Sequence, residues 1–140
     1  MKKTLKSILL VLMSMLICLT SIPVYAAEEQ KQVTPRLSHM DGASFAFNAT
    51  SSIGYISADY TGYSPSFVSA KLTVKVEKRF LLVFWNDVGK WTATCTDIHG
   101  IFEHEMSLNG SGTYRATFTL EVTGTDGTVD IVDTVIENKT

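Results

Sequence analysis

The sequence predicts an all-β protein, an immunoglobulin-like antiparallel β-sandwich of about seven or eight strands that follows a signal peptide. Three observations support this fold class. Apolar and polar side chains alternate with period two through most of the chain after residue 36, and helical periodicity is absent. Turn-forming residues recur at intervals of roughly eight to twelve residues. A small closed barrel is the alternative, because its strands carry the same alternation.

The chain begins with the pattern of a secretory signal peptide. Three lysines within residues 1–6 precede an apolar run at residues 8–19, and Val24-Tyr25-Ala26 supplies a small-residue cleavage pattern. The run is too short for a bilayer span, which needs roughly 20 residues. We therefore expect cleavage after Ala26. The expected organisation is a signal peptide (1–26), a disordered linker (27–35) and a β-sandwich domain (36–140).

Two segments carry most of the fold prediction. In Val68–Val76 the even positions are apolar and the odd positions are polar, and Tyr114–Val122 repeats this alternation. Successive side chains of a strand point to opposite faces, so each segment predicts one buried and one solvated face. Less regular segments predict the other strands: Ala43–Ala49, Ile53–Tyr60, Phe80–Trp85 (an apolar run expected to be buried on both faces), Trp91–Thr96, Ile101–Leu108 and Val129–Ile136.

Turn-forming residues separate these segments. Asn86–Gly89 and Asn109–Gly112 are rich in residues that tolerate turn dihedrals. Asp126-Gly127 is the signal of a tight hairpin turn, so residues 113–136 are expected to form one long hairpin. Gly112-Thr113-Tyr114 resembles the tyrosine corner of immunoglobulin-like sandwiches, in which the tyrosine hydroxyl bonds the backbone.

Several of these segments together resemble a family of small secreted Gram-positive bacterial proteins classed as a domain of unknown function. The resemblance covers most of the mature chain and depends on the following residues: Pro35-Arg36, Lys71–Lys78, Trp85 and Trp91 with Val88 between them, and Gly112–Arg115 before the Asp126-Gly127 turn. It implies an extracellular all-β domain, and it implies no activity and no site residues.

Composition narrows the classes of partner. Without residues 1–26 the chain keeps 114 residues, nine Lys and Arg and all 14 Asp and Glu, a net charge of −5. This acidic balance argues against nucleic acid or an anionic membrane as the partner. Cys95 is the one cysteine that remains after cleavage, so no internal disulfide is expected. We expect it to be a small buried apolar residue on one strand face with Trp91 and Ala93, and an intermolecular disulfide or a reactive thiol is the alternative.

The sequence predicts no catalytic residue, no metal site and no cofactor. Alternation in residues 99–106 places His99, Glu103 and Glu105 on one face and His104 on the other, whereas a metal needs ligands that converge. The acidic residues Asp126, Asp130 and Asp133 lack the alternating oxygen ligands of a calcium loop. They are expected to form a solvated hairpin.

Aromatic side chains are the candidate ligand-binding residues: Tyr55, Tyr60, Tyr63 and Trp85. If exposed, they offer flat faces for stacking on sugar rings or anchors for a protein; the alternative is that they belong to the core. Phe80–Trp85, as an exposed edge, is a candidate surface for a homo-oligomer.

The functional hypothesis is a secreted, non-enzymatic β-sandwich that acts as a binding or structural envelope protein. Its expected partner is an extracellular protein or a glycan, with no stable membrane anchor after cleavage. Two alternatives stay open. One is a carbohydrate-binding module that uses exposed Tyr and Trp, and the other is a small secreted hydrolase.

Overall fold

A computed structural model describes residues 37–140, and the predicted signal peptide and linker lie outside the described residues. Each described strand pairs antiparallel with its neighbours. The strands are β1 (Met40–Ala49), β2 (Ile53–Gly62), β3 (Phe67–Phe80), β4 (Phe84–Cys95), β5 (His99–Ser107), β6 (Thr113–Gly124) and β7 (Val129–Lys139).

The strands form two sheets, with orders β1-β2-β5 and β4-β3-β6-β7, that pack against each other. The predicted antiparallel β-sandwich is therefore confirmed. The order is that of an immunoglobulin-like sandwich in which the fourth strand pairs with the third instead of the fifth. Residues 37–140 form no helix that is long and apolar enough to cross a membrane.

The central strands β3 and β6 build the core of the four-stranded sheet. Their inward side chains are fully buried, as the alternation in the sequence predicts: Ala70, Leu72, Val74 and Val76 on β3, and Tyr114, Ala116, Phe118, Leu120 and Val122 on β6. Burying a large apolar side chain contributes about 1.5 to 3 kcal/mol. Val68 is the exception to the predicted pattern. It is exposed because the β3–β6 register shifts between Phe67 and Ser69.

The three-stranded sheet contributes aromatic rings to the same core. Phe45 and Phe47 of β1 are buried as predicted, and the Phe45 ring centroid lies 5.3 Å from that of Phe118 across the sandwich. Tyr60 of β2 stacks on Phe67 and Phe102, with centroid distances of 5.9 and 5.6 Å. These contacts join the two sheets in the described residues without a disulfide; Cys95 is a free thiol.

The prediction that Phe80–Trp85 is a strand buried on both faces is wrong. Phe80 ends β3 and pairs with Phe84 at the start of β4, so the chain reverses between them. The last β3–β6 pair is Lys78 with Tyr114, and the hairpin extends beyond it. Neither β6 nor β7 therefore pairs with the hairpin at this end.

The turn expected at Asn86–Gly89 is also wrong, because these residues lie within β4. Val76 pairs with Gly89 and Glu77 with Asp87, which leaves Val88 as the extra residue of a β-bulge. Asn, Asp and Gly are frequent both in turns and at bulges, so the sequence pattern fits either.

The hairpin predicted at residues 113–136 is confirmed and extends to Lys139. Gly127 adopts φ +80°, and Asp126 accepts hydrogen bonds from the backbone nitrogen and hydroxyl of Thr128 at 2.9 and 2.8 Å. The buried His39 closes the same end of the sandwich. Its backbone nitrogen donates to Asp130 at 2.7 Å, which ties the segment before β1 to β7.

Tyr114 forms a tyrosine corner, as the Gly112-Thr113-Tyr114 pattern predicts. Its hydroxyl donates to the backbone carbonyl of Gly110 at 2.5 Å, four residues upstream in the loop before β6. Gly110 has φ +74°, a conformation that a residue without Cβ adopts at low cost. The bond fixes the loop between the sheets against the start of β6, because the tyrosine ring is fully buried.

We expect Tyr114→Phe to lower the free energy of unfolding by about 1 to 2 kcal/mol, because the Gly110 carbonyl loses its hydroxyl donor. Urea denaturation at neutral pH measures the change. Tyr55→Phe is the matched control, since Tyr55 is exposed, and it should change stability little. A Tyr114→Phe protein as stable as the parent would show that the corner bond contributes nothing net.

Candidate functional site

The end of the β3–β4 hairpin carries five consecutive exposed apolar side chains. Phe80, Leu81, Leu82, Val83 and Phe84, here called the apolar tip, are between 52% and 85% exposed. Scattered exposed apolar residues are ordinary, whereas a contiguous apolar patch on a soluble protein marks an interaction surface. The apolar tip is therefore the candidate functional surface.

The backbone of the apolar tip is strained. Leu81 and Leu82 have φ of 47° and 68°, in the left-handed region that glycine and asparagine normally occupy. A branched apolar residue in this region costs about 1 to 2 kcal/mol. Asn-Gly is the favoured pair for consecutive left-handed turn residues. Leucine at both positions makes the turn less stable than Asn-Gly would, and it places two large apolar side chains at the apex.

A cationic collar lies at the base of the apolar tip. We define it as Trp85 with Arg79 and Arg115 beside its ring, together with Lys78 on the opposite face of the hairpin. The guanidinium carbons of Arg79 and Arg115 lie 4.9 and 4.2 Å from the centroid of the Trp85 ring. These are cation–π distances. The tryptophan is half-buried, and both arginines are held against it.

Carboxylates of the outer sheet face orient the arginines. Glu77, only 7% exposed, accepts from Arg115 Nε at 2.6 Å and from Lys75 Nζ at 2.9 Å. The hydrogen bond from Arg115, followed by that from Lys75, lowers the pKa of Glu77. Arg79 pairs with Glu137 at 3.0 Å. The collar geometry is thus set before any ligand arrives.

Lys78 connects the collar to the tyrosine corner. Its ammonium donates to the backbone carbonyls of Asn109 and Gly110 and lies 5.2 Å from the centroid of the Tyr114 ring. These partners are uncharged, so its positive charge is not neutralised by them. The same lysine fixes the loop before β6 and presents a cation beside the apolar tip.

The structure separates the four aromatic residues that the sequence singled out. Tyr55 and Tyr63 are 43% and 49% exposed, and Trp85 is half-buried within the collar. Tyr60 is 3% exposed and belongs to the core, so its inclusion among the exposed candidates is wrong. Its hydroxyl donates to the Asp97 carbonyl at 2.6 Å, and burial raises its pKa.

The three remaining aromatics do not form one platform. Tyr55 lies on the outer face of the three-stranded sheet, Trp85 on the outer face of the four-stranded sheet, and Tyr63 at the end opposite the apolar tip. Tyr55 borders a cavity, open to solvent, of about 440 Å³. Its polar lining side chains include Asn48, Ser57, Glu103 and Glu105.

The histidines of β5 take the faces that alternation predicts. His104 points inward and stacks on Trp91 with centroids 4.6 Å apart and planes 4° from parallel. Glu103 and Glu105 point outward, and His99 Nδ1 lies 3.3 Å from Thr61 Oγ1. Within residues 37–140, no group of three or more His, Cys, Asp or Glu side chains is placed to hold a metal.

Cys95 lies at the end of β4, on the face predicted for it. It packs with Trp91 and Ala93 against the core and is half-buried. Its sulfur lies 3.8 Å from Asp97 Oδ2. The small-apolar interpretation of this residue agrees with the packing.

No protein-family model, no curated protein and no solved structure matches the chain.

We expect Glu77→Gln to destabilise the fold at pH 7, with a deficit that shrinks in acid. Glu77 has a folded pKa below its ordinary value of 4.5, so its ion pairs stabilise the protein fully above that pH. This contribution is lost as the pH falls through the lower, folded-state pKa. Urea unfolding from pH 7 to pH 3 measures the difference between parent and variant. Glu137→Gln removes a more exposed pair and should change stability less; a pH-independent Glu77→Gln deficit would contradict the assignment.

Proposed function

We propose that the mature chain is a secreted, non-enzymatic β-sandwich that acts by binding, and that the apolar tip is its binding surface. The signal-peptide pattern of residues 1–26 supports secretion. The observation that carries the proposal is the run of five exposed apolar side chains held at the apex of a hairpin with two left-handed leucines. A turn that served only to reverse the chain would be more stable with Asn-Gly at these positions.

The use of the chemically reactive side chains supports the non-enzymatic part of the proposal. His104 stacks on Trp91, Cys95 packs against the core, and His39 closes the end of the sandwich near β7. Each has a packing or structural contact that explains its presence. The apolar tip, by contrast, has no such role within residues 37–140 and remains exposed.

We expect the double variant Leu81→Asn/Leu82→Gly to elute markedly earlier than the parent from a hydrophobic-interaction column, because it removes the apex of the apolar tip. It should also raise the free energy of unfolding by about 1 kcal/mol or more, since both new residues suit the left-handed backbone. Unfolding would expose the apolar core and delay elution, so early elution of a more stable variant reports the loss of the two leucines.

Ile101→Asn is the matched control for this measurement. Ile101 is 71% exposed on the outer face of β5, away from the hairpin. Its loss should change retention much less than the double variant does. Equal retention of parent and double variant would overturn the assignment of the apolar tip as the binding surface.

Carbohydrate binding is the second candidate, and Tyr55 supports it. The ring is exposed beside a cavity whose amide, hydroxyl and carboxylate groups can hydrogen-bond to sugar hydroxyls. Tyr63 and Trp85 lie too far around the sandwich to contribute to the same platform.

If this second function is correct, a polysaccharide pull-down should retain the parent chain, and Tyr55→Ala should lose at least about tenfold in retention. Tyr63→Ala, which removes an equally exposed tyrosine at the opposite end, is the control and should bind like the parent. Absence of retention on every polysaccharide tested would remove the carbohydrate hypothesis.

A further inference from the structure

We propose that the partner of the apolar tip is an anionic lipid bilayer, into whose interfacial layer the tip inserts while the cationic collar contacts the headgroups. This inference rests on the proposed function, because it names the partner of the same surface. It depends on the shape of the tip, the chemistry of the collar and the distribution of charge along the sandwich.

The shape of the apolar tip suits shallow insertion. The hairpin extends past the last β3–β6 pair at Lys78 by two strand residues and the turn. At 3.3 Å per residue this is roughly 7 to 10 Å. Apolar faces of interfacial membrane segments bury about 5 to 10 Å into the boundary between headgroups and acyl chains. The protruding length therefore matches the depth available.

The backbone of the tip meets part of the requirement of an apolar medium. An inserted segment must satisfy its amides internally, since lipid offers no partners. The strand ladder continues to the Phe80–Phe84 pair, and the Val83 nitrogen donates to the Leu81 carbonyl at 2.9 Å. Shallow insertion leaves the other backbone groups of the turn at the level of the headgroups, where water and lipid oxygens are available.

The collar has the composition found at membrane–water boundaries. Tryptophan is enriched at the headgroup level, and lysine and arginine near the surface are attracted to anionic lipid. Trp85 directly follows the apolar tip, and Lys78 and Arg79 directly precede it. Arg79 is thus adjacent to Phe80, Lys78 lies one residue further along β3, and Arg115 lies on the neighbouring strand beside Trp85.

The charge of the domain is strongly polarised, although its net value is negative. The row of paired residues Thr73, Thr119 and Asp133 divides the sandwich into two halves. The half with the apolar tip contains six of the seven Lys and Arg side chains of residues 37–140 and five of the twelve Asp and Glu side chains, a net charge of 6 − 5 = +1. The dividing row and the far half contain one lysine and seven carboxylates, a net charge of 1 − 7 = −6. An anionic surface would attract the tip end and repel the opposite end.

A second copy of the chain fits this surface less well. A protruding apolar hairpin needs an apolar recess in its partner. The cavity bordered by Tyr55 has Ala46 and Ile56 in its lining but also Glu103 and Glu105, whose carboxylates an apolar tip would desolvate.

The test is co-sedimentation of the mature chain with vesicles of phosphatidylglycerol and phosphatidylcholine, compared with vesicles of phosphatidylcholine alone. We expect binding to the anionic vesicles that is at least about tenfold tighter than to the neutral ones and weakens in high salt. The Leu81→Asn/Leu82→Gly variant should bind the anionic vesicles at least about tenfold less tightly. Ile101→Asn should bind like the parent. Tryptophan emission should shift to the blue on binding, because Trp85 enters a less polar layer.

Three results would overturn the proposal: no binding to the anionic vesicles, equal binding to neutral vesicles, or binding that the double variant retains. A dimer seen by light scattering that the double variant loses, without vesicle binding, would assign the tip to a second copy. The hydrophobic-interaction column distinguishes failure of the lipid proposal from failure of the proposed function. If retention depends on Leu81 and Leu82 but vesicles do not bind, the apolar tip remains the binding surface and only the lipid partner is wrong.

Discussion

The pairing of β3 with β6 is the constraint on which the rest of the fold depends. Nine inward side chains on these two strands are fully buried, and both outer strands of the four-stranded sheet pair with one of them. Residues 37–140 contain a single free thiol and no disulfide, so chain packing alone must offset the conformational entropy lost on folding. Tyr114 of the tyrosine corner and Arg115 of the Glu77–Arg115 ion pair are neighbours on β6. The positions of the loop before β6 and of the collar therefore both depend on the pairing of β6 with β3.

Much of this fold could be predicted from the sequence because strict alternation has few interpretations. Tyr114–Val122 gave the buried face, and Asp126-Gly127 and Gly112-Thr113-Tyr114 gave the turn and the corner. Phe80–Trp85 could not be predicted in the same way. An apolar run normally indicates burial, whereas here two leucines occupy left-handed turn positions against their own conformational preference. Local rules failed at the residues that the proposed function uses.

The candidate site was accessible from the sequence only in part. Trp85 and the Phe80–Trp85 segment were recognised, but the role of Arg115 depends on β3 and β6 lying side by side, which no local pattern specifies. Tyr55, Tyr60 and Tyr63 are close along the chain, yet alternation and the β2–β3 turn send them to different surroundings. Net charge was similarly incomplete as a guide to partners. A value of −5 describes residues 27–140 taken together, whereas an approaching surface meets one end of the sandwich at a time.

The position of His39 has a geometric consequence for how the domain is presented. The chain enters β1 beside Asp130 and Thr128, at the end of the sandwich opposite the β3–β4 hairpin. A β3 strand of 14 residues spans roughly 46 Å, so the entry to β1 and the hairpin are separated by nearly the full length of the domain. The two ends of the sandwich are therefore distinct surfaces joined by one continuous strand. A probe attached to the side chain of Ser38 reports on the end with His39, whereas one at Thr140, beside Gly112, reports on the end nearer the hairpin.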